Sequence, residues 1–483
     1  MFIGLDLGTS GLRALLVSED GRVIGQAEAS YDVAHPHPGW SEQDPADWIR
    51  ALATVVAALR AAHPTEMSAV RGLATSGHMH GAVALDADGG VLRPAILWND
   101  TRSHVEAAEL DGQADFRPVS GNIVFPGFTA PKLVWMARHE PALFARVAKV
   151  MLPKDYLNYW LTGRMTSDMS DASGTSWLDV GARAWSEDLV AASGLRLDQM
   201  PDLLEGSDIV GPVLSTRAEH LGLSSGCAVV AGGADNAVAA CGIGALGEGQ
   251  GFVSLGTSGV LLAGKDGFAP KPESAVHTFC HAVPGAWYQM GVVLAATDSL
   301  NWLGQITGAA PADLTGALGE TLQRPGPVRF LPYLSGERTP HNDSALRGAF
   351  LNLDIASDRT ALTKAVMEGV SFALRDSLDA LSQTGTRLTR VIGIGGGTQS
   401  LYWCRLLASV LELPVDRPVA GEFGAALGAA RLAICGVTGA AASSVMTQPE
   451  IAETIEPQPA LYPAFAEAQA RFRSSYPQIK EFQ

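Results

Sequence analysis

The sequence predicts an α/β protein built from two related domains, and three features carry that prediction. A turn spelled LGTSG stands at Leu7–Gly11 and returns letter for letter at Leu255–Gly259. Each copy lies between short apolar runs of strand length, FIGLDL and LRALLV around the first, GFVSL and VLLA around the second. Segments with helical spacing of apolar residues follow each β-rich start. A length of 483 residues exceeds one ordinary core and suits two or three domains.

In chain order, Phe2–Leu7, Leu12–Val17 and Arg22–Ala27 read as strands joined by tight turns, a meander signal. A helix is expected after Asp44, which can cap it, with Pro45 at the first helical position and Asp47 in the first turn. Ile49, Leu52, Val56 and Leu59 would form its apolar stripe. Strands are expected at Gly72–Thr75 and Ala82–Leu85, helices at Ala130–Arg138 and Lys154–Leu161. The second β-rich start comprises Cys227–Ala231, Gly251–Leu255 and Gly259–Ala263. Helices at Ala296–Ile306 and Asp358–Ser382, a strand at Val391–Ile394, then helices at Gln399–Leu411 and Glu422–Ile434 complete the chain. No low-complexity linker separates the halves, so the repeat places the boundary between Gly233 and Gly249.

Composition narrows the function. Apolar residues make up 47% and charged residues 17%, a globular balance. A formal net charge of −16 and the lack of a basic stripe argue against a nucleic-acid partner. No apolar run reaches the ~20 residues of a membrane span, and Asp6 interrupts the first one, which speaks against a signal peptide. Five scattered cysteines without a CxxC pair read as reduced thiols, so a cytoplasmic protein is expected.

The turn residues Gly8, Thr9, Ser10 and their counterparts Gly256, Thr257, Ser258 combine backbone N–H groups with hydroxyls, which can cradle phosphate oxygens. One copy alone would read as a simple hairpin turn; two copies suggest a clamp closing on a polyphosphate. Asp6 precedes the first turn where Ser254 precedes the second. A carboxylate beside phosphate calls for a cation between them, and Mg²⁺ held through water fits. VIGIGGG at 391–397 ends a strand in glycines before a helix, a place for an adenine ring against the backbone at Gly396, Gly397 and Ser400. GVLLAGK at 259–265 matches a P-loop by letters but is followed by Asp266 rather than Ser or Thr, so that reading is rejected. In GGADN, Asp235 follows a buried strand and is either a helix cap or a base orienting a hydroxyl. GHMHGA ends a strand with histidines, and a neutral His80 is suited to hydrogen-bonding a polyol. His78 is left open. His277 and His281, at helical spacing, lack the ligand set of a zinc site and read as core or support.

These motifs together resemble the FGGY carbohydrate kinases of the actin-like ATPase superfamily. The resemblance covers the chain through IGLDLGTSG (3–11), HPGWSEQDP (37–45), GHMHGA (77–82), LRPAILWNDTR (92–102), GFTAPKLVWMARHEP (127–141), LPKDYL (152–157), SDMSDASGT (167–175), GGADNA (232–237), SLGTSG (254–259), KPESAVHTFCHA (271–282) and FLPYLSGERTPHN (330–342). A second family signature, around 348–369, departs at Asn352 and Ala361. The resemblance implies two ribonuclease-H-like domains, 1–240 and 241–483, with an interdomain active-site cleft holding ATP and a sugar. It implies Asp235 as catalytic base and Asp6 as the acid associated with Mg–ATP. Met79, His80, Asp235 and Asn236 would contact the sugar, and Gly256, Thr257, Gly396, Gly397 and Ser400 the nucleotide. The Met79–His80 pair points to a ketopentose, D-xylulose first and ribulose as the alternative. An actin- or Hsp70-like ATPase is the rival from another class, opposed by GGADN and GHMHGA. A homodimer is left open.

Overall fold

The computed structural model describes every residue except 114, 420–423 and 483. Two mixed sheets organise it. The first has six strands in the order Ile209–Pro212, Ala228–Ala234, Gly72–Gly77, Phe2–Leu7, Gly11–Val17 and Val23–Ser30. The second has seven: His277–Cys280, Trp287–Val293, Gly259–Lys265, Gly251–Leu255, Val391–Ile394, Val415–Pro418 and Ile451–Ile455. Both contain one plan. A first strand pairs antiparallel with a second and the second with a third, while two later strands add in parallel beside the first. Each LGTSG turn joins the first strand to the second, so the letter repeat is a structural repeat.

The expected strands and helices form with small shifts at their ends. Asp44 caps the Pro45–Ala62 helix by accepting from the Ala46 N–H. Its buried stripe runs through Trp48, Leu52, Val55, Val56 and Leu59 rather than Ile49, which is half-buried. Gly259–Lys265 is a sheet strand, incompatible with a P-loop. His277 and His281 correct the helical reading of HTFCH. His277–Cys280 is a strand, where β-rich pairing with Trp287–Val293 overrides the histidine spacing. The helix expected from Glu422 is described from Ala425 to Thr438; Glu422 itself lies outside the described residues.

That helix has an unexpected seat. Although it comes from the second half of the chain, it packs on the first sheet, along Phe2–Leu7 and against the Asp235–Ile243 helix. Contact is at backbone distance: a Cβ on Gly4 would lie 1.8 Å from the Ala426 oxygen, and one on Gly428 would lie 1.8 Å from the Val238 oxygen. Arg431 donates to the Cys241 and Gly242 carbonyls (3.0 and 2.8 Å) at the C-terminal end of the Asp235–Ile243 helix, where the helix dipole favours a cation. Among the described residues no helix is long and apolar enough to cross a membrane.

Helix propensity alone would make Gly428→Ala stabilising by up to about 1 kcal/mol. Overpacking against the Val238 carbonyl should win, with a net loss of about 1–3 kcal/mol. A urea midpoint that stays or rises in this variant would contradict the packing described.

Candidate functional site

Strand register assembles the site. In the parallel ladder Asp6 lies level with Ser76, and Gly233 and Ala234 lie level with Ser76 and Gly77. Three chain segments far apart in sequence therefore end at one sheet edge. Asp6 stands one residue before the end of the first strand. His78, Met79 and His80 run on from the second, and Asp235 opens the helix after the third.

A cavity of about 170 Å³ lies at this edge. His78, Met79, His80, Trp98, Asp235 and Asn236 line it from the first half of the chain. Ser258, Val260, His277, Met290, Val292 and Arg338 line it from the second. The sequence-predicted Met79, His80, Asp235, Asn236 and Ser258 thus share one wall system. Asp235 is not a helix cap: its Oδ1 accepts from its neighbour, Asn236, through the backbone N–H (2.6 Å) and the side-chain amide (2.8 Å). Burial pushes its carboxyl up to about 6, Asn236 opposes that, and the charge of Asp6 adds to it. Asp6 is half-buried, and burial also raises its carboxyl against the pull of Ser76 and Arg13.

His80 is held from several sides. Its backbone is left-handed (φ 70) and its carbonyl accepts from Lys132 Nζ (2.8 Å) and Thr129 Oγ1 (3.1 Å). Its ring stacks on Phe128 at 4.3 Å. Nδ1 donates to the Gly174 carbonyl (2.7 Å), since a carbonyl can only accept, which leaves Nε2 as an acceptor. Burial lowers the ring to about 3, so it is neutral. His78, buried and also lowered to about 3, has no hydrogen-bond partner on either ring nitrogen. His277 is buried, yet it lines the cavity rather than serving only as support. His281 is absent from the cavity lining and bonds the Ala245 carbonyl at 3.3 Å.

A second cavity of about 720 Å³ includes Gly396, Gly397, Gln399, Ser400, Thr297 and Asn301 in its lining. Gly395 has φ +88, and Cβ atoms on Gly395 and Gly397 would meet Leu255 at 2.7 Å. Only glycine lets this loop approach the second LGTSG turn so closely. Gly8, Thr9, Ser10, Gly256 and Thr257 line neither cavity, but the first turn is bonded to the lining of the first and the second turn to that of the second. Trp98 of the first cavity donates to Thr9 Oγ1 at 3.0 Å, and Thr297 of the second donates to the Gly256 carbonyl at 2.7 Å. Turn carbonyls are already occupied: Tyr31 Oη donates to that of Gly8, Gln43 to that of Thr9 and the Tyr31 N–H to that of Ser10.

Sequence reasoning assigned no role to Trp98, Arg338 or the buried charges beneath Asp235, although each sits in a quoted motif. Lys154 of LPKDYL is fully buried among Asp155, Asp168 (2.8 Å) and Asp171 (3.9 Å). The three carboxylates could hold a metal by spacing alone, but the ammonium already occupies the centre of the group. Asp168 caps the next short helix, accepting from the N–H of Ser170 (2.7 Å), and Ser170 Oγ accepts from the Ala234 N–H (3.0 Å). Buried charge is thus tied to the strand end that carries Asp235. Lys154→Met should cost about 3–5 kcal/mol by leaving carboxylates uncompensated. The deficit should narrow at acid pH, where carboxylates protonate; an unchanged melting temperature at pH 7 would refute the role given to Lys154.

Comparison with known proteins gives the family. Residues 1–242 match the N-terminal domain of the FGGY family of carbohydrate kinases, and residues 251–437 match its C-terminal domain. The xylulose kinase of Escherichia coli is 44% identical over 483 residues, covering 99% of both chains. That of Klebsiella pneumoniae is 47% identical over 435 residues, 90% of this chain and 89% of the relative. A crystal structure described as a xyloylose kinase from Brucella ovis shares 55% identity and a TM-score of 0.97, covering 100% of this chain and 99% of the other. The glycerol kinase of Plasmodium falciparum, 18% identical with a TM-score of 0.85 and covering 99% and 97%, shares the fold. By both domain matches and full-length similarity, the chain belongs to the FGGY family of carbohydrate kinases, enzymes that transfer a phosphoryl group from ATP to a sugar.

Proposed function

We propose that this enzyme phosphorylates a ketopentose, D-xylulose, at its 5-hydroxyl. The observation that carries the reading is one cavity lined by Asp235, Asn236, Met79 and His80, with Ser258 of the second turn in its lining and Thr9 of the first bonded to its Trp98. Relatives of 44–55% identity named for xylulose support the choice of sugar over ribulose.

In this reading Asp235 accepts a hydrogen bond and then the proton of the attacking hydroxyl. Phosphoryl transfer has a loose transition state, so positioning and charge balance carry most of the catalysis. Asp235 therefore first aligns the oxygen and takes its proton late. Neutral His80 offers Nε2 to a sugar hydroxyl. The amides of Thr9, Ser10, Thr257 and Ser258 are offered to the phosphates, while those of Gly8 and Gly256 shape the turns by donating to the Gly11 and Ser258 carbonyls (2.9 and 3.1 Å). Gly396, Gly397 and Ser400 border the adenine. Asp6 suits a Mg²⁺ ion held through water, being a half-buried carboxylate at the phosphate turn; such an ion would neutralise phosphate charge. Keeping water out of such a site during transfer would suppress hydrolysis of ATP.

A panel of D-xylulose, ribulose, hexuloses and glycerol, followed by ADP release, tests the substrate; D-xylulose should give the highest kcat/KM. Asp235→Ala should lower turnover by about 10²–10⁴-fold while ATP still binds. The base must be ionised, so kcat/KM for the sugar should fall as pH drops through about 6. A flat profile from pH 5 to 8 would argue against Asp235 as the base. Asp6→Ala should raise the Mg²⁺ concentration needed for half-maximal rate, and an identical metal titration would remove Asp6 from that role.

A further inference from the structure

Among the described residues lining the sugar cavity, Arg338 alone carries a fixed positive charge, because the three lining histidines are neutral. Arg338 is half-buried, and among the described residues no carboxylate forms an ion pair with it. Burial brings its pKa down to about 10, so it remains charged at neutral pH. Adjacent Glu337 interacts with it electrostatically but makes no ion pair with it among the described residues. One Glu337 oxygen accepts from the N–H groups of Leu294 (3.1 Å) and Arg338 (2.8 Å), and burial pushes that carboxyl up to about 8.

The guanidinium is also aimed. Asn122 donates to the Ser120 and Thr278 carbonyls (2.8 and 2.9 Å), so its Oδ1 is an acceptor. It accepts from the Thr278 N–H (3.1 Å) and from His277 Nδ1 (3.3 Å). His277 must then carry its proton on Nδ1, and its Nε2 accepts from Arg338 Nη1 at 3.3 Å. The guanidinium lies 4.2 Å from the centre of the Phe125 ring. Thr339, next in the chain, is pinned to the second sheet by reciprocal bonds with Val292 (3.0 and 3.1 Å). Asn122 and Phe125 belong to the first half, and His277 and Arg338 to the second, so the arrangement spans the cleft.

Chemistry then says what such a charge is for. The 5-hydroxyl of a 2-ketopentose is the group that closes its furanose ring on C2. Phosphoryl transfer to that hydroxyl requires the open chain, whose C2 carbonyl is free. Asp235 and Arg338 line the same cavity, and Arg338 is bonded there to His277 rather than to Asp235. With the 5-hydroxyl at Asp235, the rest of the open chain extends into the cavity that Arg338 also lines. We propose that Arg338 is a specificity-determining residue that donates to the C2 carbonyl oxygen of the open-chain sugar, and so selects ketoses over polyols. The proposal rests on the sugar kinase reading above.

The test compares D-xylulose with xylitol and D-arabinitol, its two C2-reduced forms, in the full-length wild type, Arg338→Gln and Arg338→Lys. Wild type should strongly favour the ketose. Arg338→Gln should lower kcat/KM for D-xylulose by about 10- to 100-fold, chiefly through KM. It should leave the alditols within about threefold, and Arg338→Lys should recover part of the loss. Equal losses on ketose and alditols, or no loss, would overturn the proposal. If Arg338→Gln fails to fold, the wild-type preference decides: alditols used as well as D-xylulose would overturn it. A wild type that phosphorylates no ketopentose would instead overturn the substrate reading itself.

Discussion

Everything at the site hangs on the parallel ladder joining Phe2–Leu7, Gly72–Gly77 and Ala228–Ala234. Parallel strands share one C-terminal edge, so whatever follows them in sequence is delivered to the same place. Backbone hydrogen bonds fix the register, and register brings Asp6, Met79–His80 and Asp235 within reach of each other. The second sheet repeats the device, with Ser254 level with Ile394, which lays Gly395–Gly397 against the second turn. Side chains can diverge between the copies, carboxylate in one and hydroxyl in the other, without disturbing the geometry that the backbone supplies.

Keeping that edge in place requires close contact between segments remote in sequence. The Ala425–Thr438 helix crosses from the second half to cover the first sheet, and Gly4 and Gly428 let backbone meet backbone. Its Arg431 anchors the far end of the helix that Asp235 begins. The halves are thus tied together through the helix that Asp235 opens. Burial in these walls also sets the protonation states. It keeps the three lining histidines neutral and lifts Asp235 toward neutrality, while Arg338 stays charged. Lys154 shows the opposite outcome of burial: burial alone would drive off its proton, but three adjacent carboxylates hold it on.

Much of this was legible in the sequence where short-range rules apply. The turn repeat, the Asp44–Pro45 helix start and the strand-to-helix passage at GGADN follow from local chemistry, and each forms as expected. The HTFCH histidines were misread because a spacing of four residues puts two side chains on the same face of a helix and of a strand. Pairing with Trp287–Val293 settles which one forms. Ile49 gave way to Trp48 for a related reason: a stripe's rotation by one residue depends on the sheet it covers.

Arg338, Asn122 and Lys154 carried no local signal. An arginine before Thr-Pro or a lysine before Asp-Tyr looks like a surface residue until its neighbours are known. From sequence alone came the duplicated LGTSG turns, the two aspartates and the Met79–His80 pair, because each is a short motif with its own chemistry. Tertiary structure alone decided which of these share a cavity, which histidines line it, and which cation among the described residues stands there without an ion pair. The physical reason is that charge state and hydrogen-bond partners depend on burial and on contacts between distant segments, and those exist only once the sheets have paired.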